Sequence, residues 1–245
     1  MYKENIKMTK VLILAGGKGT RFSEKTIKQP KPLIRINQRP LIWYIMKHYS
    51  KFNLNDFIVL SGYKHKLFNR EFKKPYYNKW KIKVLNTGLN TETGTRILKS
   101  KKYLEQNKKF RYFYLTYGDG LSNCNIKKAL SLFKKKKKIG LVTTVRPPSR
   151  FGIVQSDKND YVTSFKEKFK KDKGWINAGF FILDIKIFDF IQKNKNIVFE
   201  KKPLESLVKM KNLISYKHKG FWQCCDNKKD YDLLCEYFKK RNSII

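Results

Sequence analysis

Acidic residues are scarce in this 245-residue chain, which has 19 Asp and Glu against 56 Lys and Arg and a net charge of +37. Such a charge suggests a nucleic-acid partner, because clustered cations neutralise phosphates. Only nine of these cations are arginine, however, and proteins that read bases rely on arginine for bidentate contacts. The lysines are spread along the whole chain. The dense run at residues 134–138 is typical of a solvated helix end, with a phosphate-binding patch as the alternative. The charge therefore predicts attraction of anionic ligands more than a nucleic-acid interface.

Long apolar runs are also missing. The first one, residues 11–15, is far shorter than the roughly 20 residues of a membrane span, and the start of the chain shows no signal-peptide pattern. With 13 Gly and 7 Pro, collagen-like and proline-rich classes are excluded. The 4 Cys show no C-x-x-C spacing and the 3 His are scattered, which excludes a zinc site. These absences predict a cytoplasmic protein without a membrane partner.

Hydrophobic residues make up 41% of the chain, which is enough for a packed core. Short apolar runs predict strands at residues 10–15, 56–61, 82–85, 112–117 and 140–145. Apolar residues at helical spacing predict helices at residues 41–52, 64–73, 97–106 and 126–136, and residues 87–95 are a predicted polar loop. This alternation is typical of a doubly wound α/β sheet. Three further strands in quick succession, at residues 152–155, 161–166 and 178–183, predict a mixed sheet with a small additional β portion. We expect one domain over residues 1–245, with residues 1–8 as a loose N-terminal extension.

A glycine-rich turn follows the first predicted strand. Gly16, Gly17 and Gly19 allow the backbone to approach a phosphate closely, and successive N–H groups form an anion-binding nest. The spacing matches neither the dinucleotide fingerprint nor the P-loop. Arg21 lies next to this turn, and Lys31 follows ten residues later between two prolines that restrict its backbone. An immobilised lysine near an anion nest is suited to bind a phosphate.

An aspartate between two glycines ends the strand at residues 112–117. Asp119 is a compact candidate ligand for Mg²⁺, which takes one or two protein carboxylates together with phosphate oxygens. Its candidate partner is Asp226, more than one hundred residues away. The sequence alone leaves open whether the two acids meet.

These segments resemble the sugar-nucleotide pyrophosphorylases, and in particular their branch of glucose-1-phosphate cytidylyltransferases. The shared segments run nearly end to end: residues 14–21 (LAGGKGTR), 30–33 (PKPL), 87–96 (TGLNTETGTR), 116–120 (TYGDG), 146–152 (RPPSRFG), 174–184 (GWINAGFFILD) and 216–223 (YKHKGFWQ). The resemblance implies a Rossmann-like mixed sheet of the nucleotide-diphospho-sugar transferase type. It also implies transfer of a cytidylyl group from CTP to α-D-glucose 1-phosphate, a Mg²⁺-dependent step toward surface polysaccharide such as O-antigen, carried out by a homo-oligomer.

The resemblance assigns roles to individual residues. The catalytic residues it implies are Arg21, Lys31 and Asp119. The nucleotide-binding residues it implies are Leu14, Ala15, Gly16, Gly17, Gly19, Thr20, Arg21, Lys31, Thr91, Arg96 and Gly118. The sugar-phosphate-binding residues it implies are Glu167, Lys168, Asn177, Gly179 and Trp222. The Mg²⁺ ligands it implies are Asp119 and Asp226.

The sequence also departs from the family pattern. The departures are Thr95, Phe169, Ala178, the pair Cys224 and Cys225, and Asn227. These departures affect the identity of the sugar substrate more than the type of reaction, because the glycine turn, the PKP segment and the TYGDG segment are intact. The alternatives are the same chemistry with another nucleotide or sugar 1-phosphate, a basic nucleic-acid-binding protein, and a non-catalytic regulator.

Overall fold

A computed structural model of the chain describes residues 9–105, 111–146, 153–166, 174–193 and 195–240. The chain forms two compact units. The first unit comprises Met1–Thr91, Tyr117–Asn123 and Gln223–Ile245, and the second comprises Glu92–Thr116 and Cys124–Trp222. The predicted N-terminal extension, residues 1–8, lies outside the described residues.

The first unit is built on parallel strands. β1 (Val11–Ala15) pairs with β4 (Asp56–Ser61), and β4 pairs with β5 (Lys81–Asn86). β1 is buried along its whole length, as expected for a strand covered on both faces. The unit also holds an antiparallel pair, β2 (Arg35–Ile36) and β3 (Arg39–Pro40), and the short strand β7 (Gly120–Ser122). The chain returns to this unit within β13 (Trp222–Cys224).

The helices of the first unit are α1 (Ser23–Thr26), α2 (Leu41–Ser50), α3 (His65–Glu71) and α8 (Lys228–Lys240). Helix α2 begins after Pro40, whose extended backbone precedes the first helical residue. Eight of its ten residues are buried, and its Trp43, 5% exposed, belongs to the core. Short 3₁₀ turns lie at Thr20–Phe22, Lys31–Leu33 and Pro75–Tyr77.

The second unit contains a mixed sheet with the order β12-β8-β11-β6. β12 (Leu213–Lys217) is parallel to β8 (Gly140–Val145), whereas β11 (Ile176–Asp184) runs antiparallel to both β8 and β6 (Tyr112–Tyr117). A separate antiparallel pair consists of β9 (Ile153–Ser156) and β10 (Val162–Lys166). The predicted mixed sheet and its small additional β portion are confirmed.

The helices of the second unit are α4 (Thr93–Lys99), α5 (Lys101–Glu105), α6 (Ile126–Lys136) and α7 (Lys202–Lys209), with a 3₁₀ turn at Ile185–Phe190. Asn125 caps α6 by accepting a hydrogen bond from the Lys128 backbone N–H. The lysine run begins on the last turn of α6, and Lys137 ends the helix in the left-handed conformation. Lys134 and Lys135 are exposed, so the structure agrees with a solvated helix end.

Two sequence expectations need correction. The predicted loop 87–95 ends earlier, because helix α4 already begins at Thr93. The single predicted helix 97–106 is two helices that meet at Ser100, and position 106 lies outside the described residues. Within the part of the chain that the structure describes, no helix has both the length and the apolar character needed to cross a lipid bilayer.

Candidate active site

Lys31 lies at the start of a short 3₁₀ turn that its neighbouring prolines shape. Pro30 precedes the turn with extended backbone, and its carbonyl accepts a hydrogen bond from the Leu33 N–H at 2.9 Å. Lys31 is only 8% exposed. Its Nζ lies 3.2 Å from Asp119 Oδ2 and 2.7 Å from Asp226 Oδ1. The structure therefore brings together one cation and two acids that are 88 and 195 residues away from it.

The charge of this cluster follows from two opposing effects on Lys31. Burial by itself lowers the pKa of the ammonium group, but the attraction of Asp119 and Asp226, together with their hydrogen bonds, outweighs burial and raises the pKa above its ordinary value. Lys31 therefore remains protonated throughout the neutral range. It provides a fixed positive charge between two carboxylates.

Asp119 is held at the end of β6 by a very close backbone approach. The Gly118 N–H donates to the Leu14 carbonyl at 2.9 Å. A Cβ at Gly118 would lie 2.7 Å from the same oxygen and 2.8 Å from Pro32 Cγ. The TYGDG segment, the β1 strand end and the PKP segment are packed against one another so closely that only glycine fits at position 118.

The segment that carries Asp226 is tied to the Asp119 turn. The Cys225 N–H donates to the Asp119 carbonyl at 2.8 Å, and the Asp226 N–H donates to Asp230 Oδ2 at 3.0 Å. Sequence reasoning did not include Asp230 in the site. The signal that could have found it is the spacing of Asn227 and Asp230, an amide followed three residues later by an acid at the start of a helix.

Cys225, next to Asp226, carries a free and buried thiol. Burial raises the pKa of its thiol to about 12, although the nearby charge of Lys31 acts in the opposite direction. The group is therefore a neutral thiol at neutral pH, and the thiolate is the reactive form. The cluster can neutralise and position a negatively charged group, but it offers no covalent catalyst at this position.

The donor set fits a divalent cation of the Mg²⁺ type. Both carboxylates reach a single ammonium nitrogen, so they are close enough to share one small cation. Mg²⁺ is commonly bound by one or two carboxylates together with phosphate oxygens. Among the described residues there is no group of three or more His, Cys, Asp or Glu arranged to hold a metal, so this pair would depend on oxygens from a substrate.

The glycine turn after β1 has one open position. Gly16 is buried, and its carbonyl accepts a hydrogen bond from the Tyr63 N–H at 3.1 Å. A Cβ at Gly17 would meet no atom within 4 Å. Gly19 has φ +67°, and a Cβ there would lie 2.9 Å from Thr26 Cγ2, so glycine is needed for two reasons.

The other predicted residues of the first unit are less informative about ligand contacts. Leu14 and Ala15 are buried in β1, and Thr20 and Arg21 lie in the following 3₁₀ turn. The Arg21 side chain is outside the described part of the structure. The Thr91 hydroxyl donates to the Thr87 carbonyl at 2.7 Å, so the structure shows this hydroxyl bonded within its own loop.

In the second unit, Arg96 lies on helix α4 and is 4% exposed. Burial lowers the pKa of its guanidinium, and Glu92 opposes this effect. The start of α4 is fixed by a segment one hundred residues later. The Gly94 N–H donates to the Ile197 carbonyl at 2.8 Å, and the Thr95 hydroxyl donates to the Lys195 carbonyl and accepts from the Ile197 N–H. Thr95, a departure from the family pattern, therefore has a structural role.

Three predicted sugar-site residues lie together in the second unit. Asn177 Oδ1 accepts a hydrogen bond from the Gly179 N–H at 2.8 Å, and Gly179 has φ +79°. The strand register shifts here, as at a β-bulge. The Trp222 indole N–H donates to the Ala178 carbonyl at 2.8 Å. Glu167 and Lys168, together with the departure at Phe169, lie outside the described residues.

Comparison with known proteins gives the family. The Nucleotidyl transferase family model matches residues 10–231. A probable glucose-1-phosphate cytidylyltransferase of Bacillus subtilis is 38% identical over 241 residues, covering 90% of this chain and 92% of the relative. The glucose-1-phosphate cytidylyltransferase of Salmonella typhi is 35% identical over 242 residues, with the same two coverages.

A solved structure is similar over nearly the whole chain. The crystal structure of HddC from Yersinia pseudotuberculosis superposes with a TM-score of 0.81 at 25% sequence identity, covering 94% of this chain and 100% of that one. The predicted fold type is thereby confirmed. Together, the matched family model and the two relatives show that this chain belongs to the nucleotidyl transferase family, alongside the glucose-1-phosphate cytidylyltransferases.

Proposed function

We propose that this chain transfers the cytidylyl group of CTP to α-D-glucose 1-phosphate, giving CDP-glucose and pyrophosphate. The observation that carries the reaction type is the buried Lys31 ammonium held between the carboxylates of Asp119 and Asp226. The identity to glucose-1-phosphate cytidylyltransferases of 38% and 35% supports the choice of substrates.

In the proposed reaction an oxygen of the sugar phosphate attacks the α-phosphorus of CTP. The new phosphorus–oxygen bond forms as the bond to the bridging oxygen of the β-phosphate breaks, and pyrophosphate leaves with the electron pair. Negative charge accumulates around the α-phosphorus during this exchange, so positioned cations are worth more than a covalent nucleophile. Lys31, which stays protonated, is suited to this role, and the neutral thiol of Cys225 is not required.

We propose Asp119 and Asp226 as the ligands of the Mg²⁺ ion. When bound, the ion would neutralise phosphate charge and orient the phosphate oxygens. The two carboxylates already bind one cation, the Lys31 ammonium. Their affinity for positive charge at this point supports the assignment.

The remaining assignments belong to the same proposal. The backbone of residues 16–19, with Thr20 and Arg21, would hold the CTP phosphates, because Gly17 leaves open space where a side chain would stand. Asn177, Gly179 and Trp222, with Glu167 and Lys168, would bind the sugar phosphate. We further propose a single functional domain that acts as a homo-oligomer in the cytoplasm, with a product that serves polysaccharide synthesis.

A pyrophosphate-release assay tests this proposal directly. ATP, CTP, GTP and UTP are each combined with glucose 1-phosphate and with other sugar 1-phosphates, including a heptose phosphate, with and without Mg²⁺. We expect turnover that requires Mg²⁺ and is fastest with CTP and glucose 1-phosphate. Faster turnover with another pair would replace these substrates, and a complete lack of turnover would overturn the enzymatic proposal.

A further inference from the structure

Asp230 is a fully buried carboxylate that the proposed mechanism does not use. It lies in the first turn of α8 and has 0% exposure. Its Oδ2 accepts a hydrogen bond from the Asp226 N–H at 3.0 Å, and its Oδ1 accepts one from Gln223 Nε2 at 2.8 Å. Burying a carboxylate is costly unless its oxygens are hydrogen-bonded. Both oxygens are bonded to the segment that carries Asp226.

The start of helix α8 explains why Asp230 points back along the chain. Asn227 caps the helix, since its Oδ1 accepts from the Asp230 N–H at 3.0 Å and its carbonyl accepts from the Tyr231 N–H at 3.1 Å. Asp230 is thus the third helical residue, the position whose acid normally returns to the N–H of the cap in a capping box. Here the acid bonds one residue earlier, to Asp226. The motif therefore holds the residue that carries the site carboxylate.

The same network extends to the second acid of the cluster. Gln223 Nε2, which donates to Asp230, also donates to the Cys224 carbonyl at 2.9 Å. The Cys225 N–H then donates to the Asp119 carbonyl at 2.8 Å. Residues 223–226 are consequently fixed on one side by Asp230 and joined on the other side to the Asp119 turn.

We propose that Asp230 is a positioning residue that fixes residues 223–226 and so sets the separation of the Asp119 and Asp226 carboxylates for a divalent cation. The inference rests on the proposed function for the identity of the cation site. Asp230 acts through the backbone and touches neither the cation nor the substrates. Its loss should therefore weaken metal binding more than it slows the reaction at saturating metal.

The test compares Asp230→Asn with Asp232→Asn. Asn keeps the size of the side chain, but its NH₂ group cannot accept, so the hydrogen bond from the Asp226 N–H or the one from Gln223 Nε2 is lost. Asp232 is exposed on the same helix, so its variant removes the same charge without entering the network. Mn²⁺ binding to the protein is measured by the electron paramagnetic resonance of free Mn²⁺, with CTP present and sugar phosphate absent, after subtraction of the Mn²⁺ that CTP binds without protein. Turnover is then followed as a function of metal concentration.

We expect the Mn²⁺ dissociation constant of Asp230→Asn to rise about tenfold, as is usual when a partner behind a metal ligand is removed. Turnover at saturating metal should return to within about threefold of the wild type, and Asp232→Asn should match the wild type. Unchanged Mn²⁺ affinity in Asp230→Asn would overturn the inference, and so would a loss of turnover that saturating metal does not reverse.

Two further variants separate positioning from folding. Asn227→Ala removes the helix cap and should lower Tm, but it leaves the hydrogen bonds from the Asp226 N–H and from Gln223 Nε2 to Asp230 in place and should keep the wild-type Mn²⁺ affinity. If Asp230→Asn does not fold, Gln223→Leu removes the Gln223 Nε2 donor and should raise the dissociation constant about threefold. Failure of the wild type itself to bind Mn²⁺ with CTP would count against the proposed function, whereas normal wild-type binding with unaffected variants would count against Asp230.

Discussion

Gly17 and Gly118 each lie just beyond the end of a buried strand, yet their surroundings are opposite. A Cβ at Gly118 would lie 2.7 Å from a backbone carbonyl oxygen, whereas a Cβ at Gly17 would meet nothing within 4 Å. Gly118 is needed by the folded protein itself, whereas Gly17 leaves space that the protein does not fill. The acid-bearing turn is therefore preorganised by packing, and the glycine turn is open in the way that a phosphate site requires.

Lys31 connects these two regions. Its Cβ and Cε both lie 3.5 Å from the point that a Cβ on Gly19 would occupy, and its Nζ contacts both acids. The aliphatic part of the Lys31 side chain thus packs on the glycine turn, while its ammonium group contacts Asp119 and Asp226. Substitutions at Lys31, Gly118 and Gly17 can therefore show which region governs folding and which governs binding.

The largest effect is expected for Lys31→Met, which keeps the packed stem but removes the charge. The barrier to turnover should rise by about 2–4 kcal/mol, as for loss of one strong electrostatic donor, measured as kcat/KM for pyrophosphate release. Mn²⁺ binding without nucleotide should become tighter, because the two carboxylates lose the ammonium that pairs with them. Wild-type kcat/KM in this variant would remove Lys31 from the mechanism.

Gly118→Ala should have the next largest effect. The added methyl group must displace the Leu14 carbonyl or Pro32, and such overpacking costs about 1–3 kcal/mol of folding free energy. Urea denaturation measures this loss, and turnover should fall in parallel because Asp119 is displaced. A stable and fully active variant would show that the close approach is not needed.

Gly17→Ala should have the opposite effect, with little change in folding free energy and weaker binding of CTP. Its φ is not in the left-handed region and the added Cβ has open space, so folding free energy should stay within about 1 kcal/mol of the wild type, with any change toward greater stability. The KM for CTP should rise about fivefold, equivalent to roughly 1 kcal/mol, because the methyl group would occupy the space that we propose for the CTP phosphates. An unchanged KM would contradict the proposed phosphate site.

The smallest expected effect is the contribution of His218 to the pH dependence of folding stability. Burial lowers the pKa of His218, although its hydrogen bond with the Phe221 carbonyl acts in the opposite direction. The neutral imidazole is favoured in the folded state, so its contribution to stability is complete above the ordinary pKa of 6.5 and is lost as the pH falls through the lower folded value. The decrease in Tm from pH 7 to pH 5.5 should be smaller in His218→Gln than in the wild type. Equal decreases would show that other groups control this range.

Local sequence patterns predicted the regular elements well where the chain supplies its own signals. The strand at residues 112–117 and the helix at residues 126–136 have the predicted bounds, because an apolar run and an apolar stripe mark them. The start of α4 at Thr93 was missed, since the N–H groups of Gly94 and Thr95 are bonded to the Ile197 carbonyl. A hydrogen-bond partner one hundred residues away cannot be predicted from the local sequence pattern.

The candidate site was predictable to a similar degree. Glycine spacing, the flanking prolines of Lys31 and the glycines around Asp119 identified single positions. The meeting of Lys31, Asp119 and Asp226 depends on how the chain folds back on itself over 195 residues, which composition and periodicity do not encode. Asp230 was missed because its carboxylate accepts from the backbone N–H of Asp226. The residue types at these two positions do not predict such a contact.

The hydrogen bonds that join residues 93–95 to residues 195–200 have a consequence for engineering this protein. The Thr93 hydroxyl accepts from the Phe199 N–H and donates to Glu200, and the Glu92 N–H donates to Asn196. A tag, a proteolytic site or a length change inserted into residues 195–200 would uncap a helix that begins one hundred residues earlier. Although Lys195 and Asn196 are exposed, residues 195–200 are therefore a poor place for insertions.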